Sequence, residues 1–134
     1  VAVVAQGYTD WSAAEGLDVM EDILVAHQGD FNVMLSEADI MNIGGMRALE
    51  AAGVADDVII IAAADGQREA YELIMEGRYG ATGLNSPGLV TETAMDLAVR
   101  YHGGERGFAR QVYTPPAAVS AENVADYYDP DSPF

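Results

Sequence analysis

Residues 58–74 read VIIIAAADGQREAYELI. Branched apolar residues, Val58 to Ile61, run into small alanines and stop at a carboxylate and a glycine, Asp65-Gly66, after which a helical pattern begins at once. A short, continuous apolar run bounded by a turn signal and followed by a helix reads as a strand buried on both faces, the kind found in parallel sheets. The acid at its end then lies where a buried strand first meets solvent.

The same alternation extends in both directions. VAVVAQ (1–6) reads as a short buried strand and FNVML (31–35) as the next. Between them Ala13, Leu17, Met20 and Leu24 fall on one face of a helix from Ser12 to His27, and Ser12 with Glu15 has capping-box spacing. A second helix is expected from Asp39, as its N-cap, to Ala52, with Gly53 closing it. A third runs from Asp65-Gly66 to Gly77. RYGATGL (78–84) is a weaker strand, 89–102 a further amphipathic helix, RQVYTPP (110–116) strand-like, and Ser120 a cap for a last short helix through Tyr128. Strand alternating with helix predicts an α/β fold, a three-layer αβα arrangement with a mostly parallel sheet and right-handed crossovers.

Composition narrows the function. The chain has 134 residues, enough for one domain with a core, and is 50% hydrophobic. It has no cysteine, which removes disulfides, thiol catalysis and thiolate metal sites. Its six basic residues are all arginine, so no phosphate-loop or Schiff-base lysine exists among these residues. A net charge of −16 repels nucleic acid and anionic lipid and otherwise reads as a solvated surface. His27 and His102 sit at predicted helix C-termini, where they complement the dipole rather than bind metal, and YYDPD (127–131) lacks the oxygen cage of a calcium loop.

In open α/β sheets ligands bind outside the carboxyl ends of the strands. Those ends are Asp10-Trp11, Glu37-Ala38-Asp39, Asp65-Gly66 and Asn85-Ser86, the first three at equal intervals along the chain. A carboxylate beside a glycine turn accepts from neighbouring hydroxyls, an amide both donates and accepts, and an indole offers a flat apolar face. Asp65, Asn85 and Trp11 therefore form a carbohydrate-type inventory. The residues alone leave the structural alternatives open: Asp65 as a turn and cap, Trp11 as packing at a helix entry, Asn85 as a plain turn before Ser-Pro.

The succession DW (10–11), ADIMNIGGMRALEAAG (38–53), DVIIIAAADG (57–66), IMEGRYGATGLNSP (74–87) and AVSAENVADYY (118–128) resembles the C-terminal portion of type I periplasmic sugar-binding proteins, the ribose-binding-like receptors of ABC transporters. By that resemblance Trp11 stacks on the sugar, Asp65 binds hydroxyls, and Asn85 stands where the family often has Gln. Ala38 stands where the family carries a ligand-contacting Asn, and Ala64 replaces the usual Phe before Asp-Gly. The resemblance implies no catalysis, cofactor or metal. The implied partners are a small carbohydrate or polyol and the transporter's membrane permease, with no nucleic acid, in a periplasmic or extracellular setting, free or lipid-anchored.

It also implies that residues 1–134 are a single, incomplete C-terminal lobe, with 88–107 packing on a missing N-terminal lobe. Such a fragment is expected to self-associate or to retain its N-terminal part. The competing readings are the effector-binding domain of a LacI-type transcription regulator, which shares the fold, and an enzyme on a Rossmann-like sheet. No G-x-G-x-x-G follows a strand and no nucleophile motif is present to support the latter.

Overall fold

A computed structural model describes residues 1–134. Helix α1 spans Ala13–His27, strand β1 Val33–Ser36, α2 Asp39–Ala51, β2 Ile59–Ala62, α3 Arg68–Met75, β3 Ala81–Gly83, α4 Pro87–His102 and β4 Ala118–Ser120, with 3₁₀ turns at Ala55–Asp57 and Val124–Asp126. The sheet runs β1-β2-β3-β4. β1, β2 and β3 are parallel, with Val33 opposite Ile59 and Ser36 opposite Ala62, and β4 closes the far edge antiparallel to β3. The α/β class and the mostly parallel sheet are as the sequence pattern predicts.

Local chemistry explains the helix ends. The Ser12 hydroxyl accepts from the Glu15 amide at 3.1 Å, while the Glu15 carboxylate turns back to the amide of Asp10. Gly53 leaves α2 at φ +72°, and its neighbour Val54 donates to the carbonyl of Leu49, a glycine-dependent stop. α4 begins two residues earlier than expected because Pro87 takes the first helical position behind the Ser86 cap, where a missing N–H costs nothing.

Three expectations are corrected. Residues 1–6 join no ladder: a strand exists only where a neighbouring backbone receives its N–H and C=O groups, and these residues pair with no strand of the sheet. Residues 110–116 are not a strand either. Pro115 and Pro116 cannot donate to a ladder, so pairing starts after them, where Leu84 N donates to Ala117 O at 2.8 Å and β4 follows. Ser120 ends that strand rather than capping a helix, and the expected helix through Tyr128 is a single 3₁₀ turn.

The core lies on one face of the sheet. Met20 and Leu24 of α1, Met46 and Leu49 of α2, Tyr71 and Ile74 of α3 pack with Met34, Ile60 and Val119 of the strands in one cluster. On the opposite face Val33, Leu35 and Ile59 are exposed, and α4 buries none of its residues. Within the core α1 and α2 touch backbone to backbone. A Cβ on Gly44 would lie 1.9 Å from the carbonyl oxygen of Ala13, and one on Gly16 would lie 2.3 Å from that of Met41. Alanine ordinarily gains about 1 kcal/mol over glycine within a helix. Here rigid backbone meets the new methyl, and forced overpacking at about 1–3 kcal/mol outweighs that gain. Gly44→Ala should accordingly lower the urea midpoint of unfolding. A raised midpoint would show that the two helices separate freely.

Candidate functional site

The parallel register brings the carboxyl ends of β1, β2 and β3 to one rim. Asp65 and Asn85 meet there. Their segments are joined by a parallel bridge between Asp65 and Leu84, by Asn85 N donating to Asp65 O at 2.9 Å, and by the Asn85 amide donating to Asp65 Oδ1 at 3.4 Å. The half-buried Asp65 carboxylate keeps free acceptor capacity, and the exposed Asn85 amide keeps its carbonyl oxygen. Trp11 lies at the entry to α1 with a φ of 60°, and the residue is 61% exposed. Such a conformation is rare for a bulky residue and leaves the indole face open. No hydrogen bond joins Trp11 to Asp65 or Asn85. Ala38 is fully buried as the N-cap of α2 and offers a ligand no surface in this conformation.

The N-cap assigned to Asp39 from the sequence is corrected. Asp39 is the first helical residue of α2, and its carboxylate turns into the protein. Oδ2 accepts from three successive amides, Asp65 N at 3.1 Å, Gly66 N at 2.8 Å and Gln67 N at 3.1 Å, and from the Thr82 hydroxyl at 3.1 Å. Oδ1 accepts from the Tyr79 hydroxyl at 2.9 Å. The Asn42 amide, one turn along α2, donates to Tyr79 Oη at 2.9 Å and to the carbonyl of Ile61 at 2.8 Å. Burial, with the Asp39 carboxylate beside it, holds the Tyr79 hydroxyl far above the ordinary tyrosine range, so it remains a donor.

The loop that carries Asp65 is thus hung from a buried charge. Sequence reasoning missed this network. Its one local signal is a pair of polar residues, Asp39 and Asn42, on the face of α2 that also carries Ile43 and Met46. Gly66 completes the loop: its φ is +80°, and a Cβ there would lie 2.4 Å from the Tyr71 hydroxyl.

The periplasmic binding protein domain family matches residues 1–106. The chain belongs to that family. Among relatives, the ribose import binding protein of Salmonella typhimurium is 29% identical over 104 residues, 78% of this chain and 34% of its own length. The chain therefore spans about a third of the length of the ribose-binding relatives it matches. Among solved structures, an ABC transporter periplasmic solute binding protein from Actinobacillus succinogenes, with bound D-allose, superposes at a TM-score of 0.86 and 26% identity, covering 93% of this chain and 43% of that one. A solute binding protein from Bacillus halodurans, with bound myo-inositol, gives 0.79 and 30%, covering 94% and 42%. Members of the periplasmic binding protein family bind solutes, and the strand-end rim of this chain is where such a fold presents its polar groups.

Removing the Asp39 carboxylate leaves three amides, one buried and two part-buried, and two buried hydroxyls without their acceptor. Asp39→Ala should destabilise the fold by more than about 3 kcal/mol, since each bond to a charged group contributes roughly 1.5–3 kcal/mol. Urea titration is the check, and a loss below about 1 kcal/mol would show that water takes over the five donors.

Proposed function

We propose that this chain is the ligand-binding core of the C-terminal lobe of an ABC importer's sugar receptor. It binds a small neutral carbohydrate or polyol by hydrogen bonds and stacking, and it catalyses nothing. The observation that carries the reading is the pairing of Asp65 with Asn85 at adjacent strand ends, an acceptor and an acceptor–donor side by side at the mouth of a rigid sheet. Trp11 supplies the apolar face for one side of the ring. Ala38, where the family carries an amide, is buried and supplies no polar group, so hydroxyl recognition on this lobe falls to Asp65 and Asn85. The relatives named above are import binding proteins rather than transcription regulators, which supports the receptor over the LacI-type alternative. The setting that follows is periplasmic, free or lipid-anchored, with the transporter's permease as partner.

No cation pairs with Asp65: the arginines that form ion pairs, Arg68, Arg78 and Arg100, engage Glu72, Glu50, Glu76, Asp96 and Glu105. This half of the cleft therefore favours uncharged hydroxyls over sugar acids. Calorimetry on the full-length receptor with D-ribose, D-allose, L-arabinose and myo-inositol tests the assignment. Asp65→Ala should weaken the preferred ligand at least about tenfold, as expected when hydroxyls in a closed cleft lose their acceptor at roughly 1–3 kcal/mol per group. Unchanged affinity would refute the role of Asp65.

A second lobe completes the clamp in this reading, closing over the exposed Trp11 and Asn85 and packing on α4 through Leu89, Met95 and Val99. The isolated 134-residue chain should then bind the same sugar far more weakly than the full-length receptor. It should also self-associate, or retain an N-terminal piece, to cover that helix. Light scattering across a concentration series, with mass spectrometry for a retained peptide, checks the second expectation. A lone monomer binding with full affinity would mean that the site lies wholly within these residues.

A further inference from the structure

Asp39 touches no solvent, yet its Oδ2 gathers the amides of residues 65, 66 and 67. We propose that Asp39, clamped by Tyr79 and Thr82, is a positioning residue for ligand binding: it fixes the direction in which Asp65 presents its carboxylate. The proposal rests on the reading of Asp65 as a ligand-binding residue.

The geometry leaves few other restraints on Asp65. Its side chain has one long hydrogen bond, from Asn85 at 3.4 Å, so its aim follows from its backbone. That backbone is held at two points: its N–H by Asp39 Oδ2, and its C=O by Asn85 N. Three successive N–H groups converging on one oxygen define a concave turn with little freedom, and Gly66 holds the left-handed conformation the turn requires.

The carboxylate is itself held from behind. Tyr79 precedes β3 and Thr82 lies within it, the strand that leads to Asn85. One buried charge thereby ties both ligand-bearing loops to a common reference, and a site of this kind loses affinity when its geometry drifts by about 0.5 Å. Tyr79 and Thr82 are themselves buried. The Thr82 hydroxyl bonds only Asp39, whereas the Tyr79 hydroxyl also accepts from Asn42, so Thr82→Val is the cleaner probe of Asp39 and Tyr79→Phe its companion.

A double-mutant cycle on the full-length receptor separates positioning from mere stability. Tyr79→Phe and Thr82→Val each remove one hydroxyl from the Asp39 carboxylate, and cooperative melts establish that both variants fold. Calorimetry with D-ribose, D-allose and myo-inositol should show about a three- to tenfold loss of affinity for each variant when Asp65 is present. The loss should vanish in an Asp65→Asn background. Equal losses in both backgrounds, or no loss in a variant that still melts cooperatively, would overturn the proposal. If the unmodified receptor binds none of these probes, that failure falls on the proposed function. Amide hydrogen exchange on the ligand-free receptor then decides the positioning claim. Thr82→Val should speed exchange at Asp65, Gly66 and Gln67 selectively. A uniform change, or no change at these three amides, would refute it.

Discussion

A carboxylate without a cation sits at the centre of this fold. Taking an ion out of water costs several kcal/mol even after relaxation, and attraction to a counter-charge is the usual compensation. Asp39 has none, since no arginine or histidine reaches it. Its compensation is five hydrogen bonds and a place in the first turn of α2, where the helix dipole favours negative charge. The rest of the inner structure follows from that demand. A tyrosine must come in ahead of β3, a threonine must face inward from it, and the loop after β2 must turn its amides toward α2. Asn42 is then needed to satisfy the tyrosine oxygen and the Ile61 carbonyl.

The same arrangement defines what the fold presents to solvent. Helices cover one face of the sheet, and the strand ends of β2 and β3 bring Asp65 beside Asn85. The other face, with Val33, Leu35 and Ile59, and the whole of α4 carry apolar side chains in the open. In the proposed reading the polar pair at the strand ends and the exposed indole at the entry to α1 belong to one wall of a cleft. That matches a chain about a third as long as its ribose-binding relatives.

The sequence made some of this legible because the relevant physics is local. Ser12 and Glu15 mark the start of α1, Gly53 the end of α2, and the apolar run after Val58 the central strand. The strand-end rule then located Asp65 and Asn85, since βα spacing alone puts them on one rim. Where partners are distant in sequence, local reading failed. VAVVAQ has the composition of a strand, but pairing depends on a neighbour that no local pattern supplies. Asp39 has the residue type and position of an N-cap, yet its partners are Asp65 to Gln67, Tyr79 and Thr82, far along the chain. The left-handed backbone of Trp11 had no sequence cue, since no glycine or asparagine marks it.

We propose that Asp65 and Asn85 at the strand ends, with Trp11 at the entry to α1, line one wall of a sugar site. The most direct test is a crystal structure of the full-length receptor grown with its preferred sugar. Ring hydroxyls should lie within hydrogen-bonding distance of both Asp65 carboxylate oxygens and of the Asn85 amide, with the indole of Trp11 against a C–H face of the ring. A sugar bound in the cleft with Asp65 still bonded only to Asn85, or seated away from these strand ends, would contradict it.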